Sequence, residues 1–215
     1  LVTRVRAIHS NGIYGGSHPV FGPDKSQCRS AASEAVAGLS PALRSRLDHE
    51  ICLGIAGFRP YTDARQVFAY WALADEVSLE RLAKRACKEG KSLLLPLLVG
   101  ESLEFRSWKP GETLVRGGHG VSEPRRGRPA EDLPSVVLVP GRAFDASGGR
   151  VGRGMGCYDR ALDRLADYGP VVGVAYACQV FPSVPHGERD RAVGFLATED
   201  GVVRAAGVGE GMKAR

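Results

Sequence analysis

Two rhythms of apolar residues alternate along the chain: stripes at helical spacing, and short runs that are apolar almost throughout. Asp24 can cap a helix over Lys25 to Ala37. Ser40-Pro41 then restarts a second helix, a capping serine followed by proline at the first helical position. Its stripe is Leu43, Leu47, Ile51 and Ile55, with Gly57 and Pro60 as stop signals. Gln66 to Ala72 reads as a buried strand, Ser78 caps an expected helix from Leu79 to Glu89, and Ser92 to Leu98 reads as the next strand. In that helix Glu80 and Lys84 stand one turn apart, and Gly90 suits the turn that ends it.

The alternation recurs when Val136 to Val139 and Val171 to Ala177 flank an expected helix near Cys157 to Tyr168. Strand, helix, strand in succession predicts a parallel sheet with crossover helices. The expected fold class is α/β, a single-domain layered fold with a mainly parallel central sheet flanked by helices. Between the repeats, Gly100 to Pro134 is polar, rich in Gly and Pro, and carries Arg125-Arg126-Gly127-Arg128, which predicts a long surface excursion with a hairpin. Leu1 to Pro23 follows neither rhythm. The expected organisation is a flexible extension or appended remnant over 1–23, one domain over 24–206, and a flexible tail over 207–215.

With 215 residues, 43% of them hydrophobic, the chain can bury one substantial core. A net charge of +5, from 29 Lys and Arg against 24 Asp and Glu, suits a protein that handles anions and leaves nucleic acid, nucleotide and polyglutamate partners open. Cys28, Cys52, Cys87, Cys157 and Cys178 form no C-x-x-C pair, which argues against a disulfide framework and a zinc site. No apolar run approaches the ~20 residues that cross a bilayer, and the N-terminus lacks the apolar core of a signal peptide. The expectation is a cytoplasmic monomer with no membrane partner.

Gly90-Lys91-Ser92 is not a phosphate-binding P-loop, because Arg85 stands where that motif needs glycine and a helix precedes it where a strand is required. The segment Gly148 to Gly156 is a stronger candidate. It holds five glycines in nine residues, follows a strand and precedes a helix, so its amides can approach an anion at the positive end of that helix. Arg150 and Arg153 supply charge there. Tyr158 and Asp159 open the helix with a phenol that can hydrogen-bond a carbonyl and a carboxylate that can hold a hard cation.

Pro140-Gly141, Phe144-Asp145, Gly148, Arg150, Gly152-Arg153-Gly154, Gly156 and Tyr158-Asp159-Arg160 together resemble the signature of the 5-formyltetrahydrofolate cyclo-ligases. The resemblance runs from Lys25 to Glu199 in the family's order. Lys25 and Arg29 resemble its first-helix pair, Asp75-Glu76-Val77 follows the first strand, Pro96 ends the second, and Ser122-Glu123-Pro124 resembles its Glu-Pro element. Gln179, Val184-Pro185, Asp190, Val193 and Thr198-Glu199 resemble its closing segment. Departures are Met155 for the usual Gly or Lys, Cys157 for an aromatic, Gly194 for Asp, and Arg189 for a frequent His.

The resemblance implies ATP-dependent closure of 5-formyltetrahydrofolate, in monoglutamate or polyglutamate form, to 5,10-methenyltetrahydrofolate. By the same resemblance, Lys25, Arg29 and the loop Arg150, Val151, Gly152, Arg153, Gly154, Met155, Gly156, Cys157 and Tyr158 would bind ATP. Asp159 and Asp190 would hold magnesium. Trp71 and Glu76 would line the folate pocket, with Arg153, Gly154, Met155, Gly156 and Cys157 bordering it, and Arg153 and Tyr158 would be catalytic. Two rival readings are a paralogue that binds folate or nucleotide without turnover, suggested by Met155 and Gly194, and a nucleic-acid module using Arg125, Arg126 and Arg128. The latter lacks interleaved aromatic residues to stack bases.

Overall fold

The computed structural model describes Phe21 and residues 24–207. The two expected tails therefore lie outside the described residues, apart from Phe21, whose ring meets Phe181 edge-on at 5.0 Å, and Gly207. Among the described residues no helix is long and apolar enough to cross a membrane.

Three helices come first: α1 (Lys25–Ala37), α2 (Pro41–Gly57) and the short α3 (Arg59–Asp63). Next, β1 (Gln66–Phe68) is joined by α4 (Glu80–Lys88) to β2 (Ser92–Val99), which is followed by β3 (Ser102–Ser107), β4 (Leu114–Arg116) and β5 (Ser122–Pro124). After β6 (Ser135–Pro140), β7 (Ala143–Asp145) and β8 (Arg150–Val151), α5 (Cys157–Ala166) leads to β9 (Val171–Val174), β10 (Val180–Phe181), β11 (Phe195–Thr198) and β12 (Gly201–Arg204).

The central sheet has seven strands in the order β12-β11-β9-β6-β1-β2-β3. Its interior pairs are all parallel, and only the edges β12 and β3 run antiparallel. Interior strands must bury both faces, which explains a continuous apolar run such as Val136 to Val139. Successive side chains go to opposite faces. Val136, Leu138, Val172 and Val174 meet the stripes of α2 and α4, including Ile51, Ile55 and Leu82. Val137, Val139 and Val171 meet Ala161, Leu162 and Leu165 of α5. Helix α1 buries Cys28 and Ala32 against Ala143, Val151 and Phe181, on a small second sheet β10-β7-β8.

Several local expectations are corrected by the structure. Ser78 does not cap α4; its amide N–H donates to Asp48 Oδ1 at 3.1 Å, and the N-cap, Leu79, makes no side-chain bond. Pro60 falls in the first turn of α3, where its missing N–H costs nothing. The strand expected to Ala72 ends at Phe68, and the one expected to Ala177 ends at Val174 before a 3-10 turn over Ala177–Gln179. The Gly100 to Pro134 excursion is less peripheral than its polarity suggests, because β3 adds an edge to the central sheet and buries Leu103 and Phe105. The rest of the excursion holds the hairpin β4–β5 and the exposed loop of Arg125, Arg126 and Arg128.

From β1 the chain moves one way to β2 and then returns to the other side for β6. In an open parallel sheet such a reversal leaves a crevice beyond the carboxyl ends of the two strands. Here Tyr70 and Trp71 follow β1, while Pro140 and Gly141 close β6, and all four line one cavity.

Candidate active site

One wall of this cavity is the loop between β8 and α5. Asp145 holds the turn between β7 and β8 that leads into it: its carboxylate accepts the amides of Ser147 at 3.0 Å, Gly149 at 2.9 Å and Val184 at 2.9 Å, and the Ser147 hydroxyl at 2.5 Å. Gly154 and Gly156 have φ of 102° and 66°, in the left-handed region that residues with a β-carbon avoid, so glycine allows the chain to turn sharply into α5. The first amides of α5 consequently face the crevice. Arg160 ties the turn down by donating to the Met155 carbonyl at 3.1 Å.

Arg150 is 3% exposed and donates to Asp159 Oδ1 at 2.6 Å and to the Pro140 carbonyl at 3.3 Å. Its guanidinium lies over the Tyr158 ring, 5.8 Å from the centroid. The Arg150 Nε and the Tyr158 hydroxyl are buried without a hydrogen-bond partner. Burial first, and then the neighbouring Glu76 carboxylate, push the Tyr158 phenol well above its ordinary value, so the hydroxyl keeps its proton and is available as a donor.

Arg153 reaches back to the segment after β1, donating from Nε to Glu76 Oε1 at 3.2 Å and pairing with Asp75. The other oxygen of Glu76 accepts the Leu73 amide at 2.9 Å. On the far side of the loop, Arg29 Nε donates to the Gly152 carbonyl at 2.8 Å, and Lys25 Nζ holds both oxygens of Asp190 at 2.6 and 2.5 Å. Burial alone would raise the Asp190 carboxyl, but hydrogen bonds from Lys25 and the Gly187 amide hold it below the ordinary value.

The fold thus brings Trp71, Glu76, Arg150, Gly152, Arg153, Met155, Gly156, Cys157, Tyr158 and Asp159 to one cavity. Gly154 faces Arg29 just outside it, whereas the Val151 side chain is buried in the α1 core and leaves only backbone for a ligand. Lys25 and Asp190 pair at the start of α1. The residue pattern also missed Arg142, which pairs with Asp75 and donates to Ser33. Burial, then the charges of Arg153 and Arg29, lower its pKa, placing it within the same cationic cluster. Its position just after Pro140-Gly141, at the end of an interior strand, was the available signal. Lys91, from the rejected P-loop, donates to the Thr62 and Ala64 carbonyls.

Among the described residues no three His, Cys, Asp or Glu side chains gather as a metal site. Asp159 nonetheless lines the cavity with one oxygen outside its Arg150 bond, which fits a magnesium ion held by one carboxylate, phosphate oxygens and water. Both oxygens of Asp190 are engaged by Lys25. It could join such a site only after Lys25 turned to another anion.

The profile of the 5-formyltetrahydrofolate cyclo-ligase family matches residues 22–199. A 5-formyltetrahydrofolate cyclo-ligase of Mycolicibacterium smegmatis is 30% identical over 183 residues, 81% of this chain and 93% of that protein. The mouse protein of that name is 25% identical over 186 residues, covering 80% and 92%. The NMR structure of Aquifex aeolicus 5,10-methenyltetrahydrofolate synthetase superposes with a TM-score of 0.75 at 33% identity, over 89% of this chain and 97% of that one. Family profile, relatives and architecture agree with the glycine loop and its cavity: the chain belongs to the 5-formyltetrahydrofolate cyclo-ligase family.

Proposed function

We propose that this protein converts 5-formyltetrahydrofolate and ATP into 5,10-methenyltetrahydrofolate, ADP and phosphate. The observation that carries the reading is the cavity at the β1/β6 crevice, where a glycine loop, Arg150, Arg153 and an unpartnered phenol meet apolar side chains. An N-formyl carbon is a sluggish electrophile, because amide resonance stabilises it and its oxygen leaves poorly. Transfer of the terminal phosphoryl group of ATP to that oxygen forms an iminium-like phosphate. Nitrogen-10 then attacks the formyl carbon, the carbon–oxygen bond breaks to release phosphate, and nitrogen-10 gives up its proton.

Such a reaction relies on positioning and charge neutralisation. The cations Lys25, Arg29, Arg142, Arg150 and Arg153 are held by carboxylates or carbonyls of the protein. A triphosphate would compete for them. The loop amides and α5 terminus would take the phosphates, Arg153 would bridge toward the folate, and Tyr158 would donate to the formyl or phosphoryl oxygen. Trp71 and the apolar Pro96, Leu98 and Leu103 would take the rings. Magnesium held by Asp159, with Asp190 joining as Lys25 turns to phosphate, would supply charge neutralisation on the phosphates.

The test is the ATP-dependent appearance of the methenyl chromophore on adding 5-formyltetrahydrofolate, with ADP formed in equal amount. ADP formation that does not depend on folate would overturn the reading. In addition, Met155→Lys is expected to tighten ATP binding by about 1 kcal/mol, because it places a cation on a half-buried loop position facing the phosphates. Calorimetry on the folded variant checks this, and unchanged or weaker ATP affinity would remove the Met155 side chain from the phosphate site.

A further inference from the structure

Three carboxylates line the cavity, and they are not equivalent. Glu76 is committed to Arg153 and the Leu73 amide, and Asp159 to Arg150. Glu123 is 7% exposed, lies on β5 and lines the cavity together with Leu98 and Val121. One of its oxygens accepts the Leu98 amide at 3.2 Å, and no cation among the described side chains pairs with it. A β-carbon on Gly117 would collide with the second oxygen, so the glycine leaves the space that this carboxylate occupies. A buried anion with a single neutral donor is costly unless something supplies further donors.

We infer that Glu123 is the specificity residue for the pterin end of the folate, taking the amino-pyrimidine edge through its carboxylate; this rests on the function proposed above. That edge carries two parallel donors, the ring N3–H and the 2-amino group, which match the two oxygens of a carboxylate. It lies at the end of the bicyclic ring remote from nitrogen-5. With the edge on Glu123, the formyl group lies at the other end of the ring, in the cavity that Arg153 and Tyr158 also line. A substrate lacking these donors leaves the buried anion unmatched, which makes the site selective.

The test measures binding of 5-formyltetrahydrofolate, and of its 2-desamino analogue, to wild type and Glu123→Gln by calorimetry without ATP. Glutamine keeps an acceptor for the Leu98 amide but turns a donor toward the donors of the pterin. The variant is expected to bind the folate about 30-fold more weakly, with ATP affinity unchanged to about twofold. Wild type should prefer the folate over the analogue, and that preference should collapse in the variant. Equal weakening for both ligands, or none, would overturn the assignment, and so would wild type binding both ligands alike, a comparison that needs no variant. If wild type binds neither folate nor analogue, the proposed function itself fails; if wild type turns over folate and Glu123→Gln binds it normally, only this inference fails.

Discussion

Asp159→Asn is expected to cut turnover about 100-fold, because an amide keeps the shape of the side chain but removes the charge proposed to hold magnesium beside the transferring phosphoryl group. Raising magnesium should recover part of the loss. The double variant with Asp190→Asn should recover much less, if both carboxylates serve the same ion. A structural contribution runs in parallel, since the buried Arg150 loses its anionic partner. Asparagine still offers an oxygen to that guanidinium, so the cost in stability should stay near ~1–2 kcal/mol, short of the penalty for stranding a buried charge. Melting temperature and a magnesium titration separate the two effects. Full activity at low magnesium would exclude Asp159 from the metal site, whereas lost activity with no response to magnesium would leave it the ion-pair role alone.

Asp145→Ala is expected to destabilise the fold by about 3 kcal/mol, roughly 10 °C in melting temperature, with activity falling as the loop loosens. The carboxylate is 3% exposed, and its loss strands the buried amides of Gly149 and Val184, while the exposed Ser147 can turn to water. The effect should depend on pH. Burial alone would raise the Asp145 carboxyl, but its hydrogen bonds and the nearby His186 hold it below the ordinary 3.8. With the folded value below the unfolded one, its contribution is complete above about pH 4 and is lost as pH falls through the folded value. The melting-temperature gap between wild type and Asp145→Ala should therefore narrow in that acid range. A gap that stays constant from neutral pH to pH 3 would show that the charged state of Asp145 is not what supports the loop.

How much was legible in the sequence depended on whether the signal was local. Helix α1 runs from Lys25 to Ala37 as expected, with Asp24 as its cap, because the capping signal lies beside the helix it starts. The interior run of β6 was equally plain. By contrast, β3 looked like loop: its alternation of Leu103 and Phe105 with Glu104 and Arg106 is short, and only pairing with β2 makes it a strand. Strand β1 stops at Phe68 although its partners β2 and β6 run on to Val99 and Pro140, and Tyr70 and Trp71 turn into the cavity instead of extending the ladder. Ser78 had the composition of a helix cap, but Asp48 on α2 took its amide, a tertiary partner displacing a local one.

By itself the sequence determined the α/β alternation, the glycine loop opening α5, and the identity of the groups that loop carries, since each is written in consecutive residues and obeys local steric and capping rules. Only the tertiary structure decided what faces the loop. Arg153 meets Glu76 across 77 residues of chain and Lys25 meets Asp190 across 165, contacts that follow from the strand order rather than from any pattern around either residue. The same holds for Arg142 among the loop arginines and for Glu123 in the cavity: a polar side chain shows its chemistry in the sequence, but its burial and the partners left to it are set by the elements that close around it.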